Sequence, residues 1–525
     1  MESLQLINAR IYTMDPRQPL ASSLVCRGGK VESIDPKDSS GSAERLDLGG
    51  RIVLPGLIDS HLHLRQYAET LGYIICETDT KELCLERVKE RASGTPPGEW
   101  IRGHGWNHNS WTGGYGTVKE LDLIAPNNPV YLTGKSLHVS WANNAALSAA
   151  GVNRETPDPP RGSILRDEKG DPTGILFENA VKLIENIIPK PSVKASAEKI
   201  QQAQESLWKM GLTGVHDFDQ ELCYQALQRL VDRDELRLRV LKSVRAKDLD
   251  LAIERGLKTG SGNDWLWMGG VKDFADGALG PKTAAMLEPY QGSSDKRGMT
   301  LLSEDELYEL GVTAAKAGFS LSIHAIGDRA NRSVLNVLEK IRGYEKELVI
   351  PPLPHRIEHV QLIDPADVPR LALLNITASM QPIHATSDME MADKYWGKRT
   401  AYSYASQLQF QQGARVVFGS DAPVDIPNPF WGIHAAVTRQ KADGSPGPDG
   451  WHPELRVPRE KAIEAYTMGP AAAAGKAKIQ GCLAPGYWAD LIVLEKNPFT
   501  CAADELLEIK PVGTMVGGEW VWRDF

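Results

Sequence analysis

Two histidines one residue apart, His61 and His63, end the apolar run IVLPGLIDSHLHL in a chain that places only 12 histidines among 525 residues. On a strand, alternate side chains share a face, so the pair projects to one side about 6.6 Å apart along the backbone, within reach of one metal ion. Neutral imidazole suits zinc, iron, nickel or manganese, and a carboxylate or water completes the shell. The triplet by itself is equally compatible with two surface or hydrogen-bonded histidines. Further ligands decide the matter, and three later segments end on suitable groups. His324 closes Leu-Ser-Ile-His, His359 closes Arg-Ile-Glu-His, and Asp421 follows Val-Val-Phe-Gly-Ser. Singly, each histidine reads as a satisfied core residue and Ser-Asp-Ala-Pro as a turn or helix cap. Four histidines and an aspartate at successive strand ends predict a metal centre, because one architecture brings such ends to a common mouth.

That architecture is legible in the middle of the chain. Segments 211–217, 271–276, 320–325, 355–360, 376–380 and 415–421 combine β-formers with a polar residue near the C-terminal end, and helical patterns such as 304–316 lie between several of them. Repeated βα units imply a parallel sheet, and their number and length favour a closed TIM (β/α)8 barrel, an α/β fold. The first 50 or so residues and the last 50 instead read as short alternating strands with Gly-Gly and Asp-Pro turns. Their edges need partners, so both termini are expected to build one small composite β-sandwich. The expected division is 1–54 and 478–525 for the sandwich and 55–477 for the barrel. An insertion at about 65–190, rich in Gly, Trp, Asn and Pro, is expected to cap the barrel mouth.

Lys272, in Gly-Gly-Val-Lys-Asp-Phe-Ala-Asp-Gly, stands apart from the other candidates. An ammonium offers a metal no lone pair. Buried among apolar neighbours, its pKa falls and the free amine can add carbon dioxide, giving an anionic carbamate with two oxygens for metal. The plain alternative is a lysine at the barrel rim.

HLH, GGVKDFADGALG, LSIHAIGDRAN, HRIEHVQ, ASMQPIHATSD and FGSDAPVDIPNP together resemble the amidohydrolase superfamily, in particular the amidohydrolase-3 branch of N-substituted formamide deformylase and YtcJ-like proteins. The resemblance runs through the closing LAPGYWADLIVLEKNP and so covers nearly the whole chain. It implies a TIM barrel with a composite sandwich. It also implies a metal centre held by His61, His63, a carboxylated Lys272, His324 and His359, with Asp421 as ligand and proton shuttle. One or two divalent ions, zinc foremost, are implied, with carbon dioxide as the Lys272 carbamate. Asp421, His324 and His138 form the expected catalytic set. His138 resembles a family histidine that reaches the site from the insertion to contact substrate or oxyanion, and an ordinary loop histidine fits it as well. The implied reaction is hydrolysis of a non-peptide C–N bond in a small molecule such as an N-substituted formamide or N-acyl compound. Ester or lactone hydrolysis, deamination and decarboxylation use the same centre, and a non-catalytic scaffold on the same barrel is the reading from another class.

Several patterns lead elsewhere. His355-Arg-Ile-Glu-His359 spells H-x-x-E-H, which binds one metal only on a helix. The preceding Pro351-Pro-Leu-Pro favours a strand, and four residues of strand separate the histidines by about 13 Å. His359 alone is therefore assigned, and His355 lines the pocket or packs. Thr133-Gly-Lys-Ser136 lacks the first glycine of a P-loop, and Gly134-Lys-Ser-Leu-His138 lacks the last glycine of a nucleophile elbow. Trp100, Trp106, Trp111 and Trp141 suit either an aromatic pocket or the insertion's own core. Hydrophobic residues at 42%, charged ones at 24% and a net charge of -9 describe a globular protein without the electrostatic footprint for nucleic acid or an anionic membrane. The six cysteines show no disulfide-framework spacing, and the opening residues no basic-then-apolar signal, so a cytoplasmic protein is expected. A homodimer is compatible with the sequence, which fixes no oligomeric state.

Overall fold

A computed structural model describes residues 3–36, 43–108, 111–160 and 162–525. The chain divides into two compact units, Met1–Arg65 with Ala197–Phe525, and Gln66–Ser196.

The larger unit is organised by eight strands: β1 (Leu57–Leu62), β2 (Leu212–Asp217), β3 (Arg239–Arg245), β4 (Leu266–Phe274), β5 (Leu321–Ala325), β6 (Arg356–His359), β7 (Thr377–Met380) and β8 (Val416–Phe418). Each pairs in parallel with the next in chain order. Parallel neighbours require crossovers, supplied by helices such as Glu221–Asp232, Glu304–Lys316 and Asp328–Glu347. The second of these is fixed at its start by a capping box between Ser303 and Glu306. The sheet curls until its ends meet. Leu62 and Ala422 form a parallel bridge, Asp421 N–H donates to the His61 carbonyl at 2.7 Å, and His63 N–H donates to the Ala422 carbonyl at 2.8 Å. The buried Asp59 carboxylate locks this seam by accepting from His61 N–H at 3.0 Å, Ser420 N–H at 3.1 Å and the Ser420 hydroxyl at 2.6 Å. Gly419 is the residue that permits the approach, since a β-carbon there would lie 2.5 Å from His61 N.

One barrel strand is hidden in the sequence pattern. β3 reads Arg-Val-Leu-Lys-Ser-Val-Arg, three basic residues in seven, yet it runs through the middle of the sheet. Burial is tolerable because the charges are paired. Arg239 meets Asp490 at 2.6 and 3.0 Å, and Lys242 Nζ meets Asp217 at 3.0 Å.

Strands from both chain ends share a six-stranded sheet, in which Ile52–Pro55 pairs antiparallel with Leu491–Leu494. A four-stranded sheet of Leu4–Ile7, Leu24–Arg27, Lys30–Ile34 and Glu44–Asp47 shares an apolar cluster with it, including Leu6, Val31, Val53, Leu491 and Met515.

The smaller unit holds a mixed six-stranded sheet between Ile74 and Glu178, in a region where the sequence shows little regular patterning. Trp106, Trp111 and Trp141 are buried there with Ile101, Val130 and Leu132, and Trp100 packs against a neighbouring cluster. The tryptophans therefore belong to that unit's own core. Gly134 ends a strand and Lys135 pairs with Glu77 at 2.7 Å. All six cysteines are free, five of them buried. No helix among the described residues is long and apolar enough to cross a membrane.

Candidate metal centre

The centre forms where β1, β5, β6 and β8 end. His61 Nε2 and His63 Nε2 each lie 3.4 Å from Asp421 Oδ1. The His359 ring centroid is 4.9 Å from that of His61, and the His324 centroid is 4.6 Å from that of His359. One ligand atom from each of His61, His359 and Asp421 lies within 4.8 Å of the other two. Backbone geometry at two of these residues is unusual for non-glycine positions, with φ of 78° at His359 and 59° at Asp421. On a regular strand Glu358 and His359 would face opposite sides. The left-handed turn at His359 lets both meet the same imidazole, Glu358 Oε2 lying 2.6 Å from His61 Nδ1.

His61, His359 and His324 each have one ring nitrogen in hydrogen-bond contact with the protein, and His63 has a carboxylate nearby. Glu358 faces His61 Nδ1, Gln381 Oε1 lies 2.9 Å from His359 Nδ1, the Gly277 carbonyl lies 3.0 Å from His324 Nε2, and Asp219 Oδ1 lies 3.7 Å from His63 Nδ1. Acceptors at one nitrogen fix the tautomer and leave a lone pair on the other, which is how ligating imidazoles are prepared.

Burial lowers His61 to about 4, against the opposing pull of Asp421 and Glu358. Burial also holds His359 well below the usual range, reinforced by His324. Asp421 is pushed up by burial, but His61, His63 and His359 outweigh this and keep it well below the carboxylate norm. Two neutral imidazoles and an ionised carboxylate are the states that ligation requires. His63 differs: burial opposes its charge, yet Asp219 and Asp421 raise it to about 9, so a cation must displace a proton there.

Lys272, at the end of β4, is 1% exposed, and its Nζ has no hydrogen-bond partner among the described residues. The amine stands 4.7 Å from the Phe274 ring centroid and 5.3 Å from that of Phe218, and burial lowers it to about 8. It is not a solvated rim lysine. Imidazoles, a carboxylate and a desolvated amine with no acceptor form a donor set that fits a divalent cation.

His138 lies in the unit Gln66–Ser196, with Nδ1 2.8 Å from Glu178 Oε2. His355 packs: its Nδ1 accepts from Leu321 N–H at 2.9 Å and its Nε2 lies 2.9 Å from Glu345. The sequence pattern did not single out Glu358, Asp219, Gln381 or the loop carbonyl of Gly277. Asp217, Asp219 and Cys223 form a second close group, but Lys242 sits on Asp217 and also donates to the Asp219 carbonyl, so the protein supplies its own cation.

A closed sheet of eight parallel strands with a histidine- and carboxylate-rich centre at its C-terminal edge defines the class of barrel hydrolases that use metal. Comparison narrows this. The amidohydrolase family model matches residues 44–522, and the chain belongs to that family. It is 34% identical to YtcJ of Bacillus subtilis (strain 168) over 511 residues, 94% of this chain and 93% of that one. It is 29% identical to an N-substituted formamide deformylase of Arthrobacter pascens over 543 residues, covering 99% and 98% of the two chains. Among solved structures, an uncharacterised metal-dependent hydrolase of Pyrococcus horikoshii OT3 superposes with a TM-score of 0.80 at 28% identity, over 96% of this chain and 99% of that one.

Proposed function

We propose that this amidohydrolase cleaves a non-peptide C–N bond in a small molecule, of the N-substituted formamide or N-acyl type. The observation that carries the reading is the group of His61, His63 and His359 gathered around an ionised Asp421, with the His324 ring beside His359. The relative that acts on N-substituted formamides, similar over almost the full length of both chains, supports the substrate class.

His61, His63, His324, His359 and Asp421 would hold one or two divalent ions, zinc foremost, and Lys272 would join them as its carbamate. The desolvated amine without an acceptor supports that last assignment. When bound, the cation supplies a Lewis acid that polarises the substrate carbonyl and eases ionisation of water. Asp421 accepts the proton of the attacking water and returns it to the leaving nitrogen, base first and acid second. Its position 3.4 Å from both His61 and His63 keeps the carboxylate ionised at the start of the cycle. Phe218, stacked on His61 at 4.1 Å between centroids, restrains that ring and shields it from water. The two terminal sheets would form one β-sandwich beside the barrel, and the six free cysteines fit a reducing, cytoplasmic setting.

Assay of the full chain against N-substituted formamides, N-acyl compounds and esters tests the proposal. Turnover of the first two is expected, with kcat lowered by about 10²- to 10⁴-fold in Asp421→Asn. Turnover of esters alone would reassign the substrate, and an unimpaired Asp421→Asn would remove the proton shuttle.

A further inference from the structure

The acceptors that fix the histidines are not equivalent. Gln381 and the Gly277 carbonyl are neutral and the Asp219 carboxylate stands 3.7 Å from His63, whereas His61 is in hydrogen-bond contact with a carboxylate in the barrel interior, Glu358, which is fully buried. An isolated buried carboxylate is strongly unfavourable, so its retention calls for a built-in counter-charge. Arg356, two residues earlier on the same face of β6, provides it. Nε donates to Glu358 Oε1 at 2.5 Å and Nη2 to Oε2 at 3.1 Å.

The guanidinium is itself fastened to three other strands. Nη2 donates to the Ser60 carbonyl of β1 and to the Ser379 hydroxyl of β7, both at 2.7 Å, and Nη1 donates to His216 Nδ1 of β2 at 2.9 Å. Every nitrogen of Arg356 is thereby committed, and both oxygens of Glu358 are used, Oε1 by Arg356 and Oε2 by Arg356 and His61. Both Glu358 oxygens are thereby held within the protein. The carboxylate acts on His61: an ionised carboxylate only accepts, so His61 Nδ1 must carry the proton and Nε2 the lone pair that points towards Asp421.

We infer that Glu358, clamped by Arg356, is a positioning residue that fixes the His61 tautomer and makes His61 Nε2 a stronger donor than the imidazoles of His324 and His359, whose ring nitrogens face neutral acceptors. A negatively charged partner draws the Nδ1 proton and enriches the opposite nitrogen, which neutral Gln381 and Gly277 do to a smaller degree. The inference rests on the proposed metal centre and adds a rank order among its ligands.

The test uses the full chain loaded with zinc. Zinc affinity is measured by chelator competition for the native protein, Glu358→Gln and Gln381→Ala, with circular dichroism and thermal melting as checks of folding. Glu358→Gln keeps an oxygen for His61 but gives up the charge. It is expected to weaken zinc binding about 10- to 100-fold in a folded protein, and more than Gln381→Ala does. Cobalt substitution should show altered ligand-field absorption in Glu358→Gln. Folded Glu358→Gln with native zinc affinity overturns the inference and leaves the metal centre standing, whereas a native protein that takes up no zinc overturns both. Nitrogen NMR of the native histidine rings needs no substitution: a His61 proton on Nδ1 is expected, and one on Nε2 overturns the assignment.

Discussion

Two lysines, Lys242 in the middle of β3 and Lys272 towards the end of the neighbouring β4, are fully buried, and their surroundings differ in kind. Lys242 is saturated: it meets Asp217 Oδ2 at 3.0 Å, the Ser243 carbonyl at 2.9 Å and the Asp219 carbonyl. Lys272 has aromatic faces and no acceptor. The first closes an acidic cluster from within, and no room for an external cation follows. The second leaves a nucleophilic amine beside a centre whose positive charge must come from outside. A buried lysine is structural or chemical according to whether the fold provides its anion.

The largest effect expected from this contrast is loss of turnover to background in Lys272→Met, without loss of thermal stability, because the thioether is spared the burial penalty of an orphan amine. Kinetics and melting on the same preparation check both halves, and an active Lys272→Met would equate the two lysines. Restoration of some turnover in Lys272→Ala by a short-chain carboxylic acid would sharpen the difference, since such an acid replaces the two oxygens of a carbamate. Next comes Lys242→Met, which strands Asp217 in the interior and should lower stability by about 3–5 kcal/mol in denaturant titration. A small change there would mean that the pair is dispensable.

The smallest effect concerns the paired groups under β6. His355 is held below the usual imidazole range by burial, and Glu345 is held low as His355 and Arg342 outweigh its burial. Both bind protons less readily folded than unfolded, so their contribution is complete above the unfolded histidine value near 6.5 and declines as pH falls through and below it. Unfolding midpoints at pH 7.5 and 5.5 should show this loss, and His355→Asn should flatten the slope. An unchanged slope would detach His355 from acid sensitivity.

The sequence made some of this legible and concealed the rest for physical reasons. Strands ending on His324, His359 and Asp421 are visible because a polar residue closes each apolar run; the structure places His359 and Asp421 against His61 by ring contact and ion pair, and His324 against His359. β3 was concealed because its charges are neutralised by Asp217 and Asp490, the latter 251 residues away from Arg239. Glu358 lies inside the H-x-x-E-H pattern, whose strand geometry marks His359 alone as a ligand. Its partner His61 is 297 residues distant, and only the closed barrel brings them together. Asp219 and Gln381 are ordinary residue types in ordinary loops, and no local spacing marks them as partners of His63 and His359. In the smaller unit, glycine and tryptophan obscured a regular sheet whose interior the tryptophans fill.

Elemental analysis of the purified full-length protein, before and after exhaustive chelation, tests the centre most directly when paired with the His61→Ala/His63→Ala double variant. One or two divalent ions per chain, lost together with hydrolysis in both treatments and restored to the native chain by zinc, is the expected result. A metal-free native protein that hydrolyses its substrate undiminished after chelation, and without those two imidazoles, would contradict it.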